Sequence, residues 1–259
     1  LGRPSPLARV DGHVLGLEHS PVRGSTMYEN FGKNGVFGLQ GIAHRTLAET
    51  DRTAFRSKYG TVSAGDSCCG VVSVALRMPE GRPAADVAVW LEDTVTGKVV
   101  SQSVTGTDGA VDIGGIPAGS YTLFSARKER PKKAIPLQAV ADVTVVPGEA
   151  ALAAKRLEPG PDDIDLKYTG FNGQLTVSSV PINSGKSYTI YIGGRNLHPR
   201  STAIRFNSPH LDATPGTLVS HDYGSDVTVL SFEVTVDSKA PVGEYTIFVE
   251  SSSGGRSAA

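Results

Sequence analysis

His13, Gly16 and His19 form an H-x-x-G-x-x-H pattern inside DGHVLGLEHSPVRGSTMY, with Met27 following. Neutral imidazole nitrogens are ligands for divalent metals, and a metal-bound water is a hydrolytic nucleophile at neutral pH. Other residues with chemical potential are less ordered. Asp162, Asp163 and Asp165 in PDDIDL offer the hard oxygens that calcium takes, although the same stretch reads as an acidic linker. His210, Asp212, His221 and Asp222 match no ligand spacing and read as surface polar groups. RKERPKK is basic but has no interleaved aromatics, so it reads as a solvated loop before it reads as a phosphate or polysaccharide site. Trp90, alternating within ADVAVWLED, reads as core and not as a sugar platform, with its direction set by strand register.

The elements that must carry these residues are mainly strands. The 259 residues include 30 glycines and 16 prolines, and Val, Thr, Ser and Ile runs recur between them. One helix is predicted in TDRTAFRSKYG, stopped by Gly60. The formal charge of -1 steers the chain toward neither nucleic acid nor an anionic membrane. No apolar run reaches the roughly 20 residues of a membrane-spanning helix. The cysteines, Cys68 and Cys69, are adjacent. They read as two reduced thiols near a strand start, or as thiols whose partners belong to a missing amino-terminal part, ahead of a strained vicinal disulfide, because neighbouring Cα atoms sit too close for an ordinary cross-link.

Composition shifts predict an amino-terminal unit at 1–60, a β-sandwich at 61–158, a linker at 159–166, a second sandwich at 167–253 and a disordered tail at 254–259. Two phrases, PAGSYTLF at 117–124 and PVGEYTIF at 241–248, repeat a proline, a glycine and a Tyr-Thr-apolar-Phe start to a strand. Each sandwich is expected to use this device in the same way.

On His13, Gly16, His19, Met27 and the helix ending at Gly60, the first unit resembles the end of a matrixin-like (metzincin) zinc metalloprotease domain. That resemblance implies His13 and His19 as zinc ligands, Met27 beneath the metal, and a protein or peptide substrate in the intact protein. The pattern's first ligand position falls on Arg9 and its general-base position on Val10, neither of which can serve. Pro4 and Pro6 would also interrupt the family's active-site helix. Zinc is therefore expected to bind weakly or not at all. Because the pattern is lost abruptly before Gly12, a truncated or frame-shifted gene is favoured over a pseudoprotease.

TGTDGAVDIGGIPAGSYTL resembles the carboxypeptidase-regulatory-like and Cna-B-like sandwiches, in which a Thr-Asp-Gly turn joins two strands and Pro-x-Gly precedes a tyrosine-bearing strand. GKSYTIYIGGRNL followed by TAIRFNSP is similar to an IPT/TIG-like immunoglobulin fold. The expected fold class is thus mainly β, with two antiparallel β-sandwich domains preceded by a partial α/β metzincin remnant. The expected function is a fragment of a secreted bacterial zinc endopeptidase, not competent as it stands. The alternative is a non-enzymatic extracellular binding or structural protein whose sandwiches contact a surface glycan or protein, with no nucleic-acid partner and no membrane span.

Overall fold

The computed structural model describes residues 12–22, 25–28, 48–60, 68–127, 136–161, 164–224 and 227–259. Arg9, Val10, Pro4, Pro6, Asp162, Asp163 and the RKERPKK loop beyond Arg127 lie outside them, so the readings placed there have no structural counterpart.

Helix α1 (Glu49–Tyr59) carries acids in its first turn and bases in its last, which suits its dipole. Its buried face is polar, made of Thr50, Asp51 and Thr53. That face meets strand backbone: Thr53 Oγ1 donates to the Val100 carbonyl at 3.0 Å, and Arg56 Nε donates to the Gly115 carbonyl at 3.1 Å.

The first sandwich is built from β1 (Cys69–Arg77), β2 (Val87–Asp93), β3 (Val99–Val104), β4 (Ala110–Pro117), β5 (Gly119–Arg127), β6 (Gln138–Val145) and β7 (Ala150–Arg156). One sheet runs β4-β1-β7 and the other β3-β2-β5-β6. Alternation along β1 sends Val72, Val74 and Leu76 into a core shared with Val89, Leu91, Ile113, Tyr121 and Leu123. The Asp108-Gly109 turn holds as a turn, with Asp108 accepting the Ala110 N–H at 3.0 Å, yet it connects strands of opposite sheets. Cys68 and Cys69 are joined as a vicinal disulfide.

The second sandwich uses β8 (Asp165–Phe171), β9 (Gln174–Thr176), β10 (Ser187–Arg195), β11 (Thr202–Arg205), β12 (Leu211–Ala213), β13 (Val219–His221), β14 (Thr228–Val236), β15 (Phe248–Ser251) and β16 (Arg256–Ala258). Its sheets are β12-β14-β10-β8-β9, with β13 also on β14, and β11-β15-β16. Ile190, Ile192, Leu230, Phe232, Val234 and Val249 fill the space between. β10 bulges at Gly193/Gly194.

The architecture is mainly β, and two details depart from expectation. The sandwiches are antiparallel throughout except for β1 and β7, which run parallel. Residues assigned to a disordered tail form β16, because Val249 pairs with Ser257 and Glu250 with Arg256, whose guanidinium reaches the Glu250 carboxylate at 3.1 Å. Small polar composition alone did not forbid pairing once a partner strand lay alongside.

Candidate functional site

The amino-terminal segment brings His13 and His19 together. Residues 12–14 make a helical turn, Gly16 leaves it at φ +73°, and the chain returns so that the two imidazole centroids stand 5.0 Å apart. His13 Nδ1 lies 3.0 Å from the Leu17 carbonyl. That contact makes Nδ1 the protonated nitrogen and leaves Nε2 as the lone-pair donor. Met27 is buried directly against Gly12, where an added Cβ would collide with its sulfur.

Asp51 fastens this corner to α1. Its carboxylate accepts from Ser25 Oγ at 2.6 Å, from the Thr26 N–H at 2.8 Å and from the Ala48 N–H at 3.1 Å. Lys58 Nζ and Tyr59 Oη close the other side by donating to the carbonyls of Gly16 and Leu15, each at 2.6 Å. Two imidazoles fall short of the three protein ligands of a catalytic zinc. Among the described residues no group of three or more His, Cys, Asp or Glu side chains converges on a metal position.

A second constellation sits where the two sandwiches meet. Every residue of β2 from Val87 to Glu92 is buried, which requires cover on both sheet faces. Val87, Val89 and Leu91 face the first core, while Trp90 faces the other way, into a cluster with Val99, Phe124, Leu137 and Phe248 of β15. Trp90 is therefore a buried residue of the joint and not of the sandwich core. Its ring stacks on Phe124 at 5.6 Å, and Phe124 in turn meets Phe248 at 5.1 Å.

Glu92, 2% exposed, lies at the centre of this joint. It accepts from Trp90 Nε1 at 2.9 Å, from Asn207 Nδ2 at 2.9 Å and from Thr246 Oγ1. Burial pushes its carboxyl above the usual 4.5, outweighing these hydrogen bonds and the nearby Arg205 guanidinium. Glu244 is also raised, chiefly by burial, with Asp51 and Glu49 adding repulsion and Lys98 opposing it. Around them the Val99 N–H donates to the Glu244 carbonyl at 2.9 Å, and Ser208 Oγ donates to the Thr96 carbonyl.

No family model matches the chain, and no curated protein does. Similar solved structures include pilins. The minor pilin of Streptococcus agalactiae is 18% identical over 37% of this chain and 46% of its own, at TM-score 0.29. The major pilin subunit of Bacillus cereus is 16% identical over 74% and 67%, at 0.31, and a streptococcal ancillary pilin 12% identical over 70% and 62%, at 0.29. The chain spans 46% of the length of the first of these, and scores of this size assign it to no family.

The matrixin resemblance is corrected by these findings. The similar structures named above are pilin subunits, and among the described residues the two-imidazole corner gathers no third His, Cys, Asp or Glu side chain that would complete a metal site. The zinc-endopeptidase reading falls with it. What misled is that H-x-x-G-x-x-H is a short pattern, satisfied by any helical turn with a left-handed glycine exit and a histidine at each end.

The remaining groups stay apart. His221 bonds Ser231 Oγ at 2.7 Å and packs on Tyr191 at 5.1 Å. Asp165, at the start of β8, is the one member of the acidic triad within the described residues. An open depression of about 330 Å³ lies beside Phe171, Tyr188 and Tyr191. Among the described residues no helix is long and apolar enough to cross a membrane.

Proposed function

We propose that the chain is a non-enzymatic structural and binding protein of the cell exterior, in which two sandwiches are locked as one unit. The observation that carries this reading is Glu92, a buried carboxylate of the first sandwich held by Asn207 and Thr246 of the second. A buried carboxyl group hydrogen-bonded across a joint resists hinge motion, since opening breaks those bonds and leaves its donors without their acceptor. Calorimetry tests the proposal: one cooperative transition is expected, and two separable ones would sink it. Protease shaving of producing cells tests the exterior location.

The binding half of the proposal attaches to the depression beside Phe171, Tyr188 and Tyr191, whose ring faces and hydroxyls suit a surface glycan. Glycan-array binding that survives Tyr191→Ala removes that assignment. Zinc capture by His13 and His19 is a separate proposal, supported by the approach of their rings. Zinc titration against a His13→Ala/His19→Ala double variant decides it, with weak binding expected to vanish in the variant.

A further inference from the structure

We infer that the β7 edge is a self-association surface, pairing antiparallel with β7 of a second copy about a two-fold axis at Leu152. This does not depend on the function proposed above.

Among the described residues β7 is paired on one side only, with β1. The Val71 N–H bonds the Glu149 carbonyl and the Leu157 N–H bonds the Arg77 carbonyl. With the parallel register of Val71 on Ala150 through Arg77 on Arg156, the odd-numbered residues of β7 therefore bond to β1. The N–H and C=O groups of Ala150, Leu152, Ala154 and Arg156 point to the open edge. Such an edge is a template for another strand.

Its side chains lack the usual protection. The strand reads AALAAKR, and Leu152 at its middle is 81% exposed. Around it on the outer sheet face stand Ala150, Ala154, Ser73 and Ala75. No charge or proline interrupts the run from Ala150 to Ala154.

Charge at the ends selects the occupant. Glu149 precedes the strand, Lys155 and Arg156 close it, and among the described residues Glu149 has no ion-pair partner. Antiparallel pairing with Leu152 opposite Leu152 sets Ala150 against Ala154 and puts Glu149 opposite Lys155, while Arg156 falls on the other sheet face, opposite Gly148. Open-edge groups then face open-edge groups, as the ladder requires. The two-fold satisfies both acidic ends at once and closes, so the product is a dimer and not a filament.

Sedimentation equilibrium of the full chain over increasing concentration is the test. A monomer–dimer equilibrium is expected. Leu152→Lys, at a solvent-facing position, and Ala154→Pro, which removes an N–H that β1 does not use, should each weaken the dimer about tenfold or more without changing the circular dichroism spectrum. Glu149→Lys should weaken it too, and Glu149→Lys with Lys155→Glu should restore it. A chain that stays monomeric, or a dimer indifferent to Leu152→Lys and Ala154→Pro, overturns the inference. So does a double charge swap that fails to rescue, or a monomer that captures an extended peptide of another protein at this edge.

Discussion

Asn207 Nδ2 donates to Glu92 Oε2 at 2.9 Å, and with that bond the second sandwich reaches into a site from which the first has excluded water. The other amide atom of Asn207 accepts from Arg205 Nη1, which fixes the amide's orientation. Glu92→Ala would leave the Trp90, Asn207 and Thr246 donors facing a void. The expected cost is about 1–3 kcal/mol for each donor left without an acceptor. Chemical denaturation should show the single transition splitting or moving to lower denaturant, and an unchanged midpoint would remove Glu92 from the joint.

The pH dependence follows from the same carboxylate. Glu92 and Glu244 both bind protons more tightly folded than unfolded, since burial raises them above 4.5. Their contribution is fully present below about that value and is lost as pH rises through their folded values. Melting temperature should therefore fall as pH rises from mild acid toward neutrality over this window. The slope should shrink in Glu92→Gln and again in the double variant with Glu244→Gln. A slope of the opposite sign carried by these residues would refute the assignment.

The repeated phrase at 117–124 and 241–248 has a physical basis. Tyr121 Oη donates to the Pro117 carbonyl at 2.9 Å and Tyr245 Oη to the Pro241 carbonyl at 2.6 Å, so each tyrosine pins the turn four residues behind it. Burial raises both phenols, Tyr245 to about 12. Tyr121→Phe and Tyr245→Phe should each cost about 1 kcal/mol. Absorbance titration should lose its highest-pH phenol only in Tyr245→Phe. If the wild-type chain shows every tyrosine ionising near the usual 10, the burial of Tyr245 is wrong.

The parts of the fold legible in the sequence are those where local chemistry and final packing agree. The Asp108-Gly109 turn, the Pro-x-Gly-x-Tyr device and the alternation of Val72, Val74 and Leu76 needed no knowledge of distant residues. β7 was not legible, because Ala, Lys and Arg favour helix and only the waiting edge of β1 makes AALAAKR a strand. Glu92 was hidden for a related reason. Nothing local says that a carboxylate at the end of VAVWLED will be covered by residues more than a hundred positions away. The unbroken burial of β2 was foreshadowed by the run VAVWL, which a strand with one solvated face would have interrupted.

Gly97 offers the sharpest separation of local strain from contact across the joint. It sits at φ +74°, and a Cβ there would stand 2.6 Å from the Asn207 carbonyl oxygen and from Ser208 Cα. Gly148 has the same φ of +74° with nothing within 4 Å of its added Cβ. Alanine at either position bears the left-handed backbone cost of about 1–2 kcal/mol. Only Gly97→Ala must also push the second sandwich off the first. Gly148→Ala should thus lower stability modestly and keep one transition, whereas Gly97→Ala should lower it further and expose Trp90, seen as a red-shifted, quenchable fluorescence. Equal losses with Trp90 still shielded in both would mean that the contact between Gly97 and Asn207 contributes nothing to holding the sandwiches together.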